Sequence, residues 1–228
     1  MKLGLSNNQL KILAMIAMTM DHLGIVFFPE VEWLRLVGRL AFPIFAYMIA
    51  EGCYHTKNMW RYLGSMALLA FVCQVVYFFA MDSLYMCIIV TFSLSIGLIG
   101  LLQFAQANKS FFTQLLFVAG VATVYYICHM LPKQVGHGFR IDYDFIGVMI
   151  PVALYAAKDR AGKLAVLILG LTCMAMTLGS VQWWALLSVP LLLLYNGRRG
   201  KWRMKWFFYI FYPAHLAIIQ GVAYILAE

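Results

Sequence analysis

Charge is what this sequence has least of. Asp, Glu, Lys and Arg make up 11% of its 228 residues, where a soluble domain carries about 25%. Acidic residues are the scarcer kind, nine against seventeen Lys and Arg. So few charges cannot clothe a water-facing surface, and the 64% of hydrophobic residues exceeds what one core needs. The mean hydropathy of +0.84 points to a chain whose outside also meets hydrocarbon. Cysteine is sparse and unclustered. Cys53, Cys73, Cys87, Cys128 and Cys173 stand singly in apolar stretches; with no CxxC and no Cys/His grouping they read as small buried hydrophobes, and no metal is expected. Pro/Gly/Ser-rich linkers, low-complexity tracts and internal repeats are missing too, which predicts one domain over residues 1–228. Polar Asn7, Asn8 and Gln9 precede an apolar run too long for a signal-peptide core, and no A-x-A follows. The first run is therefore expected to stay in the protein.

What is present is a series of apolar runs. Since ~20 apolar residues cross the hydrocarbon, the sequence predicts an all-α, polytopic transmembrane bundle of about nine spans. These are Leu10 to Phe28, Leu34 to Cys53, Tyr62 to Met81, Leu84 to Phe104, Phe111 to Leu131, Tyr143 to Ala157, Leu164 to Leu178, Trp183 to Tyr195 and Trp206 to Ala227. The sixth, seventh and eighth are short and are expected to tilt, kink or cross incompletely. The net charge of +8 could signal nucleic acid, but its placement does not. With the N-terminus inside, the inner loops hold Lys2, Lys11, Lys57, Arg61, Lys109, Lys158, Arg160, Lys163, Arg198, Arg199, Lys201, Arg203 and Lys205. The outer loops hold Lys133 and Arg140 with Glu30, Glu32, Asp82, Asp142 and Asp144. Cytoplasmic loops of membrane proteins carry this excess of Lys and Arg, and an even number of spans would scramble it. The expected topology is N-terminus cytoplasmic and C-terminus outside. Trp33, Trp60, Tyr62, Trp183, Trp184, Trp202 and Trp206 fall near span ends, as interfacial belts do.

Ionisable groups within spans cost at least ~2.5–3.5 kcal/mol each if they face lipid, so they are functional candidates. Asp21 and His22 lie deep in the first span; at 1.5 Å per residue His22 sits roughly 18 Å from the inner edge. Lys11, Met15, Met18 and His22 share one helical face. Arg35 and Arg39 share a face of the second span, and Asp21 is the nearest anion in sequence. Glu51 and His55, four residues apart, lead into Thr56, Lys57 and Asn58 at the inner edge. His215 lies near the middle of the last span, two residues after Pro213, which is expected to kink it. Each has a plainer reading: a packing histidine, a structural Arg–Asp pair, an interfacial polar cap. Together they hold the ingredients of acid–base chemistry. Neutral imidazole takes a proton from an amine or hydroxyl, a carboxylate orients the ring, and Arg supports an oxyanion. The same set could relay protons in a transporter. On the cytoplasmic side, Tyr195-Asn196-Gly197-Arg198-Arg199-Gly200-Lys201 reads either as topological charge or as a phosphate cradle.

The strings DHLG (Asp21 to Gly24), LRLVGRLAFPIFAYMIAEG (Leu34 to Gly52), HTKN (His55 to Asn58), DYDFIGV (Asp142 to Val148), LLYNGRRG (Leu193 to Gly200) and FFYIFYPAHL (Phe207 to Leu216) resemble the TraX family. These are membrane proteins named for N-terminal acetylation of F-type pilin. The strings occur in order from the first span to the last; between about Gly64 and Pro132 only hydropathy matches, and Cys87 stands where the pattern leads one to expect Asn. The resemblance implies a multi-pass protein of the bacterial plasma membrane that moves an acetyl or other short acyl group from cytosolic acyl-CoA to an amine acceptor such as a peptide N-terminus. The family's DH, GR, EG, HT and PAH elements fall on Asp21, His22, Gly38, Arg39, Glu51, Gly52, His55, Thr56, Pro213, Ala214 and His215. On this reading the catalytic set is His22, Asp21, Arg39 and His215, with His22 as base and Asp21 orienting it. The CoA-binding set is Arg198, Arg199, Lys57, Arg61, Lys201, Glu51, His55 and Asn58. Membrane lipid, acyl-CoA and the acceptor are the expected partners, and nucleic acid is not. Alternatives are an O-acyltransferase of sugar or lipid hydroxyls and a proton-coupled transporter.

Overall fold

The structure, a computed structural model, describes residues 4–81, 84–136, 138–201 and 204–227. Lys2, Asp82, Trp202 and Arg203, named above for topology and interfacial placement, lie outside the described residues. The chain is predominantly helical. Seven of the described helical segments are long and apolar enough to cross a membrane: Asn7–Val26, Glu32–His55, Met59–Phe79, Ile88–Asn108, Phe111–Val135, Arg160–Leu178 and Trp206–Leu226. Asp144–Ala156 and Ser180–Leu193 are shorter apolar helices, and they occupy two of the three segments expected to be short. The third, expected from Leu164, is a 19-residue helix because it starts earlier, at Arg160, and takes in Lys163. Basic side chains at a span's end can reach the interface, so they need not lie outside the helix.

The chain packs as two compact units, Met1–Met48 with Leu164–Glu228, and Ile49–Lys163. In the first, α1 (Asn7–Val26) starts at a capping box. Ser6 accepts from the Gln9 backbone N–H, and the Gln9 side chain accepts from the Ser6 N–H at 2.9 Å, which satisfies two of the donors left open at a helix start. Pro29, two residues past the C-cap Phe27, prevents the helix from continuing. α2 (Glu32–Gly38) then runs back along α1. Gly24 lies against Leu34, and Gly38 against Asp21, so residue numbers rise on one helix as they fall on the other. A β-carbon on Gly38 would collide with the Asp21 side chain; glycine is there because the helices must touch at the carboxylate.

The second span is not one regular helix. It breaks at Arg39–Leu40, where backbone bonds tighten to Arg39 N→Leu36 O (3.2 Å) and Leu40 N→Val37 O (3.1 Å) before α3 (Ala41–His55) begins. Pro43 explains the position. It has no N–H for the carbonyl of residue 39, and its ring crowds that carbonyl. Arg39 is thus the C-cap of α2. α11 (Lys205–Ala227), which follows α9 (Arg160–Leu178) and α10 (Ser188–Leu193), by contrast stays helical through Pro213.

The second unit contains α4 (Met59–Met81), α5 (Ile88–Asn108), α6 (Phe111–His129), α7 (Leu131–Val135) and α8 (Asp144–Ala156), with two-residue strands β1 (Tyr85–Met86) and β2 (Arg140–Ile141) paired in parallel. Its helices are joined by hydroxyl groups: Thr91 donates to Asp142 O at 2.7 Å, and Ser95, fully buried, reaches Val148 O at 2.9 Å. Such side-chain bonds hold helices together where no water competes. Cys87, in place of the expected Asn, is the N-cap of α5 without a side-chain cap bond; its own N–H donates instead to Gln74 Oε1 at 3.2 Å. The DYDFIGV string forms the turn into α8. Tyr143 and Asp144 both take left-handed backbone (φ 58° and 55°), and Gly147 leaves room for Tyr143. Tyr85 donates to Asp142 Oδ1 at 2.6 Å; burial, reinforced by that carboxylate, pushes its phenol pKa up.

Polarity is inverted relative to a soluble protein. Arg39, Glu51, Thr91, Ser95, Ser188 and His215 are buried, while Phe71, Phe79, Phe111, Leu169, Ile218 and Ile225 are exposed. That distribution suits a lipid solvent. Replacing Gly38 with Ala should lower stability by ~1–3 kcal/mol through overpacking against Asp21. Gly64→Ala, where a β-carbon meets nothing within 4 Å, should not. Reversible denaturation of both purified variants checks this; equal stabilities would show that α1 and α2 do not need this contact.

Candidate functional site

The site is built on α1, α2 and α11. Asp21 points from α1 at the end of α2, where one nitrogen of Arg39, Nη2, contacts both carboxylate oxygens at 2.6 and 2.8 Å. Arg35 Nε lies 3.0 Å from Asp21 Oδ1, although its N–H is not aimed along a hydrogen bond. One carboxylate therefore serves two guanidiniums, and the cluster keeps a positive charge in excess. Arg39 and Asp21 are largely shielded from solvent (10% and 15% side-chain exposure). The helix break locates Arg39, since its backbone is the α2 cap that Pro43 enforces.

His22 turns a different way. Its Nδ1 lies 2.8 Å from the Met18 carbonyl, one turn back on α1. A carbonyl only accepts, so Nδ1 carries the proton and Nε2 is the basic nitrogen of the neutral ring. The expectation that Asp21 orients His22 is corrected here. Adjacent helical residues diverge by about 100°; the Asp21 carboxylate is taken up by Arg39 and Arg35, and Met18 O orients the imidazole. Asp21, Arg39 and Arg35 still lie close enough for their charges to act on the His22 ring. The shared face of Lys11, Met15, Met18 and His22 faces protein, with Met15 and Met18 buried.

His215 repeats the arrangement on α11. Its Nδ1 is 3.0 Å from the Phe211 carbonyl, which again leaves Nε2 basic, and that Nε2 is buried without a hydrogen-bond partner among the described residues. The ring stacks on Phe211 (4.9 Å, 7°) and meets Tyr212 edge-on at 5.4 Å. The two imidazoles face one another, centroids 5.1 Å apart and planes 69° apart. A buried imidazole and a half-buried one beside a cationic cluster can accept a proton and support a developing anion.

The chain belongs to the TraX family. The sequence model of the TraX protein matches residues 6–223, which includes every element of this site. A probable fimbrial assembly protein FimC, serogroup H1, of Dichelobacter nodosus is 24% identical over 239 residues, covering 92% of this chain and 93% of that protein. An uncharacterized protein, RP591, of Rickettsia prowazekii (strain Madrid E) is 44% identical over 45 residues, 20% of this chain and 18% of its own length. No solved structure matches.

The remaining expected residues of this TraX-family chain fall into two groups. Arg198, Arg199 and Lys201 are exposed in the loop before α11. Glu51, His55, Lys57, Asn58 and Arg61 belong to the second unit. There Glu51 is buried against Lys163 (Oε1–Nζ 2.5 Å) with His55 Nε2 3.6 Å from its other oxygen. Lys163, read from the sequence only as a loop charge, is thus the principal partner of Glu51. Asn58, expected to bind CoA, accepts from the Arg61 N–H at 2.9 Å and caps α4. Gly52 of the EG element is small because the Tyr62 hydroxyl lies against it. Of the residues that sequence reasoning left out of the site, Arg35 carried a usable signal, its i,i+4 spacing to Arg39. The Met18 carbonyl carried none.

Removing Asp21 leaves two guanidiniums without their anion, so Asp21→Ala should lose ~3–5 kcal/mol. Asp21→Ala/Arg39→Met should recover a large part. A double-mutant cycle by denaturation measures it; losses that simply add would mean the pair is not coupled.

Proposed function

We propose that this protein is a membrane acyltransferase that moves an acetyl or other short acyl group from cytosolic acyl-CoA to an amine acceptor. The observation that carries this reading is the facing pair of Nδ1-tethered imidazoles, His22 and His215, next to the Asp21–Arg39–Arg35 cluster. Family membership points the same way, and a relative named for fimbrial assembly makes a pilus-type peptide N-terminus a coherent acceptor.

In this mechanism the amine nitrogen attacks the thioester carbonyl while His22 Nε2 takes the amine proton. The excess positive charge of the guanidinium cluster supports the oxyanion. The carbon–sulfur bond breaks, and the thiolate recovers the proton from His22 and leaves as CoA thiol, so the amide forms with the enzyme unchanged. His215 completes the walls of the reaction centre and keeps the His22 ring from lipid. Exposed Arg198 and Arg199, with Lys201, suit the phosphates of CoA, for which paired guanidiniums are well matched. We place the chain in the bacterial inner membrane with nine spans, N-terminus inside and C-terminus outside. This orientation puts the Arg198–Lys201 loop in the cytosol, where acyl-CoA is.

His22→Ala should abolish transfer, at least ~100-fold as for loss of a general base, with expression and elution volume unchanged. Purified protein incubated with labelled acetyl-CoA and membrane extract, followed by mass spectrometry, measures it. Near wild-type transfer by the variant would remove His22 from the mechanism. Absence of any labelled product with the wild-type protein would count against the acyltransferase reading itself.

A further inference from the structure

The cytoplasmic loop and the start of α1 are stitched together by main-chain bonds. Leu5 N donates to Leu194 O (2.7 Å), Asn196 N to Leu5 O (2.9 Å), Asn7 N to Arg198 O (2.8 Å) and Asn8 N to Arg199 O (3.2 Å). Gly200, at φ +99°, lets the loop lie on the Asn8 side chain. Two consequences follow. The first-turn N–H groups of α1 are already satisfied, so a ligand here must be held by side chains. And the loop's two arginines are fixed beside the foot of α1 with their side chains exposed.

One turn further along α1 is Lys11. Its Nζ lies over the Phe208 ring of α11 at 5.2 Å, one turn above Asn8, whose N–H is bonded to the Arg199 carbonyl. Among the described residues no carboxylate pairs with Lys11, Arg198 or Arg199; the ion pairs involve other groups. Positive charge placed by topology alone would spread into water. Here a half-buried lysine stands one turn above the backbone contact of Arg199, with no counter-ion among the described residues, which is unfavourable unless an anion joins them.

We infer that Lys11, with Arg199 and Arg198, forms an anion site for a phosphate group at the foot of α1. If the acyl-CoA reading above is right, this site grips the phosphate-bearing end of the acyl donor. The helix also sets the distance. Lys11 and His22 lie on one face, eleven residues and therefore ~16 Å apart along the axis, with Met15 and Met18 buried between them. The phosphate of an anionic lipid headgroup offers the same chemistry from a different source.

The test uses the full chain in phosphatidylcholine nanodiscs, with CoA binding measured calorimetrically. Lys11→Gln and Arg199→Gln should each weaken CoA roughly tenfold, as loss of one charge-assisted phosphate contact does. Lys109→Gln, which removes an exposed cation from the second unit, should not. Acetyl-pantetheine, which lacks the phosphates, should bind Lys11→Gln and wild type alike. Should Lys11→Gln not fold, the exposed Arg199→Gln carries the test. Wild-type CoA affinity in the folded variants overturns the inference and leaves the acyl-CoA reading standing. If instead wild type ignores CoA but binds phosphatidylglycerol in a Lys11-dependent way, the anion site stands with lipid as its source and the acyl-CoA reading fails. Binding of neither overturns both.

Discussion

The carboxylate of Asp21, shared between Arg39 and Arg35, is the interaction on which the first unit depends. It is expensive to form, since Asp21 and Arg39 leave water, and their attraction repays this only with close geometry. The sequence around it provides that geometry. Gly38 lets α2 approach until the carboxylate touches its end, and Pro43 stops the helix so that Arg39 caps it. A carbon atom on residue 38, or a regular turn through residue 43, would move the guanidinium away from its anion.

This pairing also shapes the chemistry available nearby. Because Asp21 is engaged by arginines, it does not bond to the imidazole beside it, and His22 is oriented by its own helix. His215 uses the same i−4 carbonyl device. Both rings are thereby held in one tautomer, with no carboxylate bonded to Nε2 among the described residues, and the nearest charged cluster is net positive. A carboxylate dyad would favour an imidazolium; this arrangement favours a neutral base facing a developing anion. Fold and candidate chemistry are coupled through a single side chain.

Much of this was legible in the residues. Hydropathy located the long apolar helices, and Asp21, the nearest anion in sequence, was the evident partner for Arg39. The 3.6-residue period put Lys11, Met15, Met18 and His22 on one protein-facing side. What was not legible had local causes. Main-chain carbonyls carry no sequence signature, so the partner of His22 was assigned to the adjacent carboxylate, which the helix turns elsewhere. The second span read as continuous from Leu34 to Cys53, and only the packed structure shows that Pro43 breaks it where Arg39 is needed. Helical spacing pairs Glu51 with His55, four residues on; Lys163, 112 residues away, is reached by tertiary packing that periodicity does not encode. The DYDFIGV string carried only the family resemblance, and its left-handed pair and Gly147 build the turn into α8.

The account stands on the state of two ring nitrogens. Solid-state 15N NMR of histidine-labelled protein in lipid bilayers at pH 8, above the ordinary imidazole range of about 6.5, reads them directly, with single substitutions assigning the signals. Neutral rings protonated at Nδ1 and bare at Nε2 for both His22 and His215 are the predicted result. An Nε2-protonated His22, or one that is cationic at that pH, would contradict it, since the nitrogen assigned to take the acceptor's proton would already hold one.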